Sequence, residues 1–233
     1  MKMPMAAAFG IVAMLTGCEY SESFSNPVSR NFSWFDYVGG RGLKEACGPA
    51  VTDRIRFVYN GNYDEQVRAY DVHELPDGRG AVVSAWARGD GNLIVGIDLP
   101  NLRLPWDGDR VNATIDPKAF AELREALTAD RFDGSRPVGL QLPSNEYYWI
   151  VTACLDGQFY SNAWLYPSKR FKALRFPKIL LAYDRTGIAF RDAATAKRYE
   201  DYPIQRLGDR GSSDYSFLIQ LGDDGVLGSP SLF

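Results

Sequence analysis

Few side chains in this chain are equipped for chemistry. His73 is the only histidine among the 233 residues. A single imidazole excludes His-rich zinc sites, and no Cys-x-x-Cys motif compensates. His73 stands beside Glu74 at the end of an expected strand, the setting of a solvated or hydrogen-bonded surface histidine. No Gly-x-Ser-x-Gly elbow is present, which argues against a serine hydrolase of that type. Gly39-Gly40-Arg41-Gly42 lacks the G-x-G-x-x-G spacing and follows no strand, so it reads as a turn-rich loop and not as a phosphate cradle. Asp107-Gly108-Asp109 contains an Asp-x-Asp step, but Val111 occupies the place of the third oxygen ligand of a calcium loop. Asp223-Asp224-Gly225 reads as a turn. No metal or cofactor is expected. The 29 acidic residues could furnish a carboxylate pair for glycan or peptide cleavage, but their spacing singles out none.

The remaining candidate surface is aromatic. Tyr147-Tyr148-Trp149-Ile150-Val151-Thr152-Ala153-Cys154, the turn Asp156-Gly157 and Phe159 to Leu165 form a strong hairpin pattern. Tyr147, Trp149 and Val151 share one strand face; Tyr148, Ile150 and Thr152 share the other. One face must meet the core. Tyr147 and Trp149, with Tyr160 and Trp164 beside them, are the candidate stacking platform for a sugar or peptide, and packing in the core is the competing reading.

Positioning these residues requires a sheet. Ile55, Phe57 and Tyr59 alternate with Arg54 and Arg56, the period of a half-buried strand. Asn60-Gly61-Asn62, Pro76-Asp77-Gly78 and Gly89-Asp90-Gly91-Asn92 are turn signals separating 66–72, 81–86 and 93–97, which with the first strand make a four-strand meander. Asp116 as N-cap and Pro117 at the first helical position start a helix carrying Phe120, Leu123 and Leu127 on one face. A second helix is expected from Pro177 towards Gly187, a third and polar one near 193–199, and a last strand at 216–221. The expectation is an α+β fold: an antiparallel meander and hairpin sheet with two or three helices packed on one face. This order is similar in pattern to small bacterial α+β proteins, a likeness that implies no activity. The mildly acidic formal charge of −3, with no basic block, argues against a nucleic-acid partner.

The N-terminal stretch carries a signal of another kind. Lys2 precedes an apolar run from Ala6 to Leu15, too short for the roughly 20 residues that span a bilayer and suited to a secretory leader. The run ends in Leu15-Thr16-Gly17-Cys18, which resembles the lipobox of bacterial lipoproteins. The resemblance covers about twenty residues. It implies that residues 1–17 are a cleaved signal peptide, that Cys18 is lipidated, and that 18–33, rich in serine and asparagine, form a flexible tether to a single α+β domain over 34–233. Several acyl chains, at ~0.8 kcal/mol per buried CH₂, anchor a protein stably. The anchor would sit in the cell membrane or the outer membrane, with the domain facing the periplasm. Lipid on Cys18 leaves Cys47 and Cys154, either as a disulfide in an oxidising compartment or as two separate buried thiols. The resulting expectation is a non-catalytic binding or scaffolding module with an envelope protein or glycan as partner. The alternatives are an envelope hydrolase working through carboxylates and a passive structural subunit.

Overall fold

Strand β1 (Arg54–Gly61) sits near the middle of the molecule and shows how the sequence divides it. Ile55, Phe57 and Tyr59 enter one apolar core, while Val58, pointing the opposite way, enters a second. The computed structural model describes residues 34–63, 65–89, 110–130, 132, 137–196, 217–222 and 226–229. The leader, Cys18, the tether, the expected strand at 93–97, Asp107, Asp109, Asp223 and Asp224 lie outside these residues.

The main sheet has six strands, all antiparallel, in the order β4-β3-β2-β1-β6-β7. From β1 the chain meanders outward through β2 (Gln66–Glu74), β3 (Ala81–Gly89) and β4 (Val111–Ile115). It then crosses back over helix α3 (Pro117–Ala129) to lay β6 (Tyr147–Leu155) against the free side of β1. Strand β7 (Gln158–Leu165) closes that edge through the expected hairpin. Its turn, Asp156 and Gly157, has positive φ at both residues (50° and 74°), the two-residue form that matches strand twist. Thus β4, at 111–115, takes the place beside β3.

One face of the sheet is covered by α3, a short α4 (Lys169–Lys172) and α5 (Phe176–Ala182). Helix α3 forms as its sequence dictates: Asp116 accepts from the Ala119 amide at 2.9 Å, and Phe120, Leu123, Ala126 and Leu127 are buried. At its other end Asp130 accepts from the amides of Arg175 (2.8 Å) and Phe176 (3.1 Å), so one carboxylate joins the end of α3 to the start of α5. Beyond α5 the irregular segment 184–191 is held down by β2. Arg68, 1% exposed, donates to Asp184 and to the Ile188 carbonyl, Tyr70 donates to Asp184 at 2.6 Å, and Gln66 donates to the Ala189 carbonyl at 2.8 Å. Residues 193–196, part of the expected third helix, form a turn on the Asp192 carbonyl.

The opposite face carries elements that the sequence pattern announced only in part, the last strand expected at 216–221 being β8 of this face. Residues 34–39 are helical (α1) and bury Trp34, Phe35 and Val38. Beside them lies a second antiparallel sheet, β5-β8-β9, made of β5 (Gln141–Pro143), β8 (Leu218–Leu221) and β9 (Val226–Ser229). Leu142, Phe217, Ile219 and Leu221 pack with α1 against Val58, Ala69, Trp86 and Ile150. The glycine cluster at 39–42 is not a loop. Gly40 breaks α1 from α2 (Arg41–Ala46) with φ at +69°, and a Cβ there would lie 2.8 Å from the Thr152 side chain. Only glycine meets both demands.

Candidate functional site

On the face away from α3 and α5, the strand register aligns an unbroken polar row: Ser161, Thr152, Arg56, Asp71, Ser84 and Asn112, one from each strand. The neighbouring row towards the small sheet is apolar and buried: Ala163, Ile150, Val58, Ala69 and Trp86. The polar row therefore marks where the apolar packing of that layer stops. Next to it, on the other side, come Arg54 and His73, paired in register. Helix α2 crosses above, leaving a cavity of about 150 Å³ lined by Gly42, Leu43, Arg54, Arg56, Asp71 and His73 among others.

Asp71, 8% exposed, is the hub. It accepts from Arg56 Nε at 2.6 Å, from the Tyr37 hydroxyl at 2.9 Å and from Arg110 Nη1 at 3.3 Å. Arg56 is fixed further: it donates to the Tyr37 carbonyl at 2.9 Å, and its guanidinium lies 3.8 Å from the Tyr37 ring centroid. Arg54 Nε donates to His73 Nδ1 at 2.9 Å, which places the proton of the neutral imidazole on Nε2.

The electrostatics follow from this inventory. Burial favours a protonated Asp71, but Arg56, Tyr37 and Arg110 outweigh it and hold the carboxyl below its usual range. Burial likewise opposes the charge of Arg56, and Asp71 more than restores it. His73 is pushed below its ordinary value by burial first and then by the charge of Arg54, with Asp71 pulling the other way. Arg56 and Arg110 thus meet the Asp71 carboxylate and Arg54 lines the cavity beside His73; with His73 neutral the lining carries a net charge of +1, and Arg110, beside it on Asp71, adds a second positive charge.

This arrangement suits binding better than catalysis. The His73 nitrogen able to take a proton already accepts from Arg54, and Asp71 is held ionised by three donors. A second cavity, of about 210 Å³, lies between the β2–β3 turn and α3 and is lined by Glu74, Gly80, Phe120 and Arg124 among others. Arg124 is tied to Asp53 at 2.7 Å and to Asp156 at 3.0 Å. Each of the two cavities is lined by one carboxylate, where glycoside cleavage requires a facing pair. Among the described residues no cluster of three metal-ligating side chains occurs.

The residues singled out from sequence separate into two groups. Cys47, at the end of α2, and Cys154, in β6, have sulfurs at bonding distance, 1.95 Å, with Cα atoms 5.5 Å apart. The aromatic quartet does not form an exposed platform. Tyr147, Trp149 and Trp164 are 4%, 1% and 1% exposed. Trp149 packs on Tyr59 at 4.8 Å and Phe176 at 5.3 Å, and Trp164 on Phe176 at 5.6 Å, so α5 covers the rings that a ligand would need. Tyr160 is half-buried against Phe132. Tyr37, Arg56, Asp71 and Arg110 went unremarked as a site. Their one sequence signal was that Arg54 and Arg56 alternate with core residues on a strand, which reads equally well as a solvated face. Compared with known protein families and with curated proteins, the chain matches none.

Proposed function

We propose that this protein is a membrane-anchored periplasmic lipoprotein whose α+β domain is a non-catalytic binding module of the cell envelope. The observation that carries the reading is the pairing of Cys47 with Cys154. Of three cysteines it leaves Cys18, at the end of the apolar leader, as the one thiol available for lipid. A structural disulfide also fits an oxidising compartment. The engaged state of His73 and Asp71 supports binding over catalysis, with an envelope protein or glycan as the larger partner.

Intact mass of the membrane-extracted protein, with and without reductant, tests this. The expected species is residues 18–233 plus acyl groups, lighter by two hydrogens before reduction. An uncleaved chain without lipid and with three free thiols would overturn the reading.

A further inference from the structure

We infer that the cavity beneath α2 binds a small phosphate-type oxyanion, held by the guanidinium groups of Arg54 and Arg56, which line it, and by Arg110, which reaches Asp71 from beside the lining. This deepens the reading of the domain as a binding module and rests on it for its biological sense, though its chemistry stands on the site alone.

The first argument is charge. Arg54 and Arg56 against Asp71 leave the lining at +1, Arg110 on Asp71 adds a second positive charge beside it, and a phosphate monoester carries ≈ −1.5 to −2 at neutral pH. A single carboxylate would match the lining alone and leave the charge of Arg110 unmet. The second argument is the state of the donors. Asp71 and Tyr37 fix Arg56 from two sides, so its position is set before any ligand arrives. Arg54 spends only Nε, on His73; its terminal nitrogens have no acceptor among the described residues. Arg110, whose side chain is 44% exposed, reaches Asp71 through one nitrogen at the long distance of 3.3 Å. Planar guanidinium forks left in this condition are the standard receptors for tetrahedral oxyanions.

Size gives the third argument. A volume of about 150 Å³ is well below the ~300–1,000 Å³ of sites for drug-sized molecules, yet several times the ~30 Å³ of one water. It suits one small charged group, with whatever that group is attached to left outside. Both a free phosphate monoester and the headgroup of a phospholipid offer that chemistry.

The single histidine supplies a clean test. In the full chain in detergent micelles, the His73 ring resonances are followed by NMR during titration with inorganic phosphate, and separately with dihexanoyl phosphatidic acid. The expected result is a saturable shift, with half-saturation near or below ~1 mM, and a rise in the His73 pKa as the anion offsets the arginines. Arg110→Gln and Arg54→Gln should each weaken binding about tenfold or more, the size of one charge-assisted hydrogen bond. Arg79→Gln, which removes the same charge from the exposed β2–β3 turn, should leave binding unchanged. Saturation by phosphate identifies a soluble ligand class, and saturation by the lipid alone identifies a headgroup. No saturable response to either, or equal losses in Arg79→Gln and Arg110→Gln, would overturn the inference. A lipidated, disulfide-bonded chain that ignores both anions would sink this site and leave the anchor reading intact; a binding chain without lipid would do the reverse.

Discussion

The irregular segment after α5 is held by charge in a place where charge is costly, and its removal should be correspondingly severe. Arg68 and Asp184 are 1% and 9% exposed at their side chains and lie 2.5 Å apart. Asp184 also accepts from Tyr70 at 2.6 Å and from the Thr186 amide at 2.8 Å and hydroxyl at 2.6 Å. Asp184→Ala would take the counter-charge from the buried Arg68 guanidinium and leave it only the neutral acceptors Gln66 Oε1, the Thr186 hydroxyl and the Ile188 carbonyl, with the Phe190 ring 5.6 Å away. Breaking a buried pair on one side costs about 3–5 kcal/mol. With a urea m-value of ~2 kcal/mol/M, the midpoint should fall by about 1.5–2.5 M at unchanged m. The double variant Arg68→Met, Asp184→Leu removes both charges and keeps the volume, so it should recover most of that loss. Equilibrium urea unfolding followed by tryptophan fluorescence measures all three proteins. A cost below ~1 kcal/mol for Asp184→Ala, or a double variant no better than the single, would refute the reasoning by showing that water reaches Arg68.

Other expectations follow from elements already described. Replacing Cys47 and Cys154 by serine should lower stability by about 2–5 kcal/mol, read as a drop in Tm that reductant reproduces in the parent protein and not in the variant. Asp116→Ala should cost about 1 kcal/mol through the lost Ala119 bond; an unchanged urea midpoint would mean that α3 is held by packing alone. His73, ringed by Arg54, Arg56, Arg110 and Asp71, has a folded pKa below its unfolded value of 6.5, so the unfolded chain binds the proton first. Stability should therefore be undiminished above pH 6.5 and fall as pH drops from there through the folded value. His73→Gln should remove that component, and an unaltered profile between pH 7 and 5 would contradict it.

Local signals made some of this structure legible and tertiary ones hid the rest. The hairpin at 147–165 was readable because Asp156-Gly157 is a turn that favours positive φ at both positions, and α3 because Asp116-Pro117 is a start signal needing no partner. The second sheet was readable only in β8, and not in the partners of that strand. Its strands are three or four residues long, and Gln141 meets Gln220 only after the chain has built β6, β7 and two helices. The polarity of Arg56 showed which way it points, but not that Tyr37 of α1 would meet its guanidinium there. Trp149 illustrates the converse: its alternation with Tyr148 left open whether the second side is a free platform or packed, and in the fold β6 lies in the interior of the sheet with both faces covered. Arg68 and Asp184 lie 116 residues apart, a pairing that no spacing rule anticipates.

The sulfur bond has a mechanical consequence. Cys47 and Cys154 are 107 residues apart in sequence. Tension applied between the two ends of the chain passes through the bond and bypasses everything between them. That removes about 350–390 Å of contour length from what a pull can extract, at ~3.3–3.6 Å per residue. Strands β1 to β5, helix α3 and the arginines 54, 56 and 110 lie within the bypassed stretch, while Tyr37, Gly42 and Leu43, which meet them from α1 and α2, lie outside it. A load on the N-terminal end can peel away α1 and α2, but at Cys47 it is handed directly to β6, which is flanked by β1 and β7. The strands that carry the arginines are thereby shielded from strain arriving along their own backbone, whereas the cover that α1 and α2 lay over them is not.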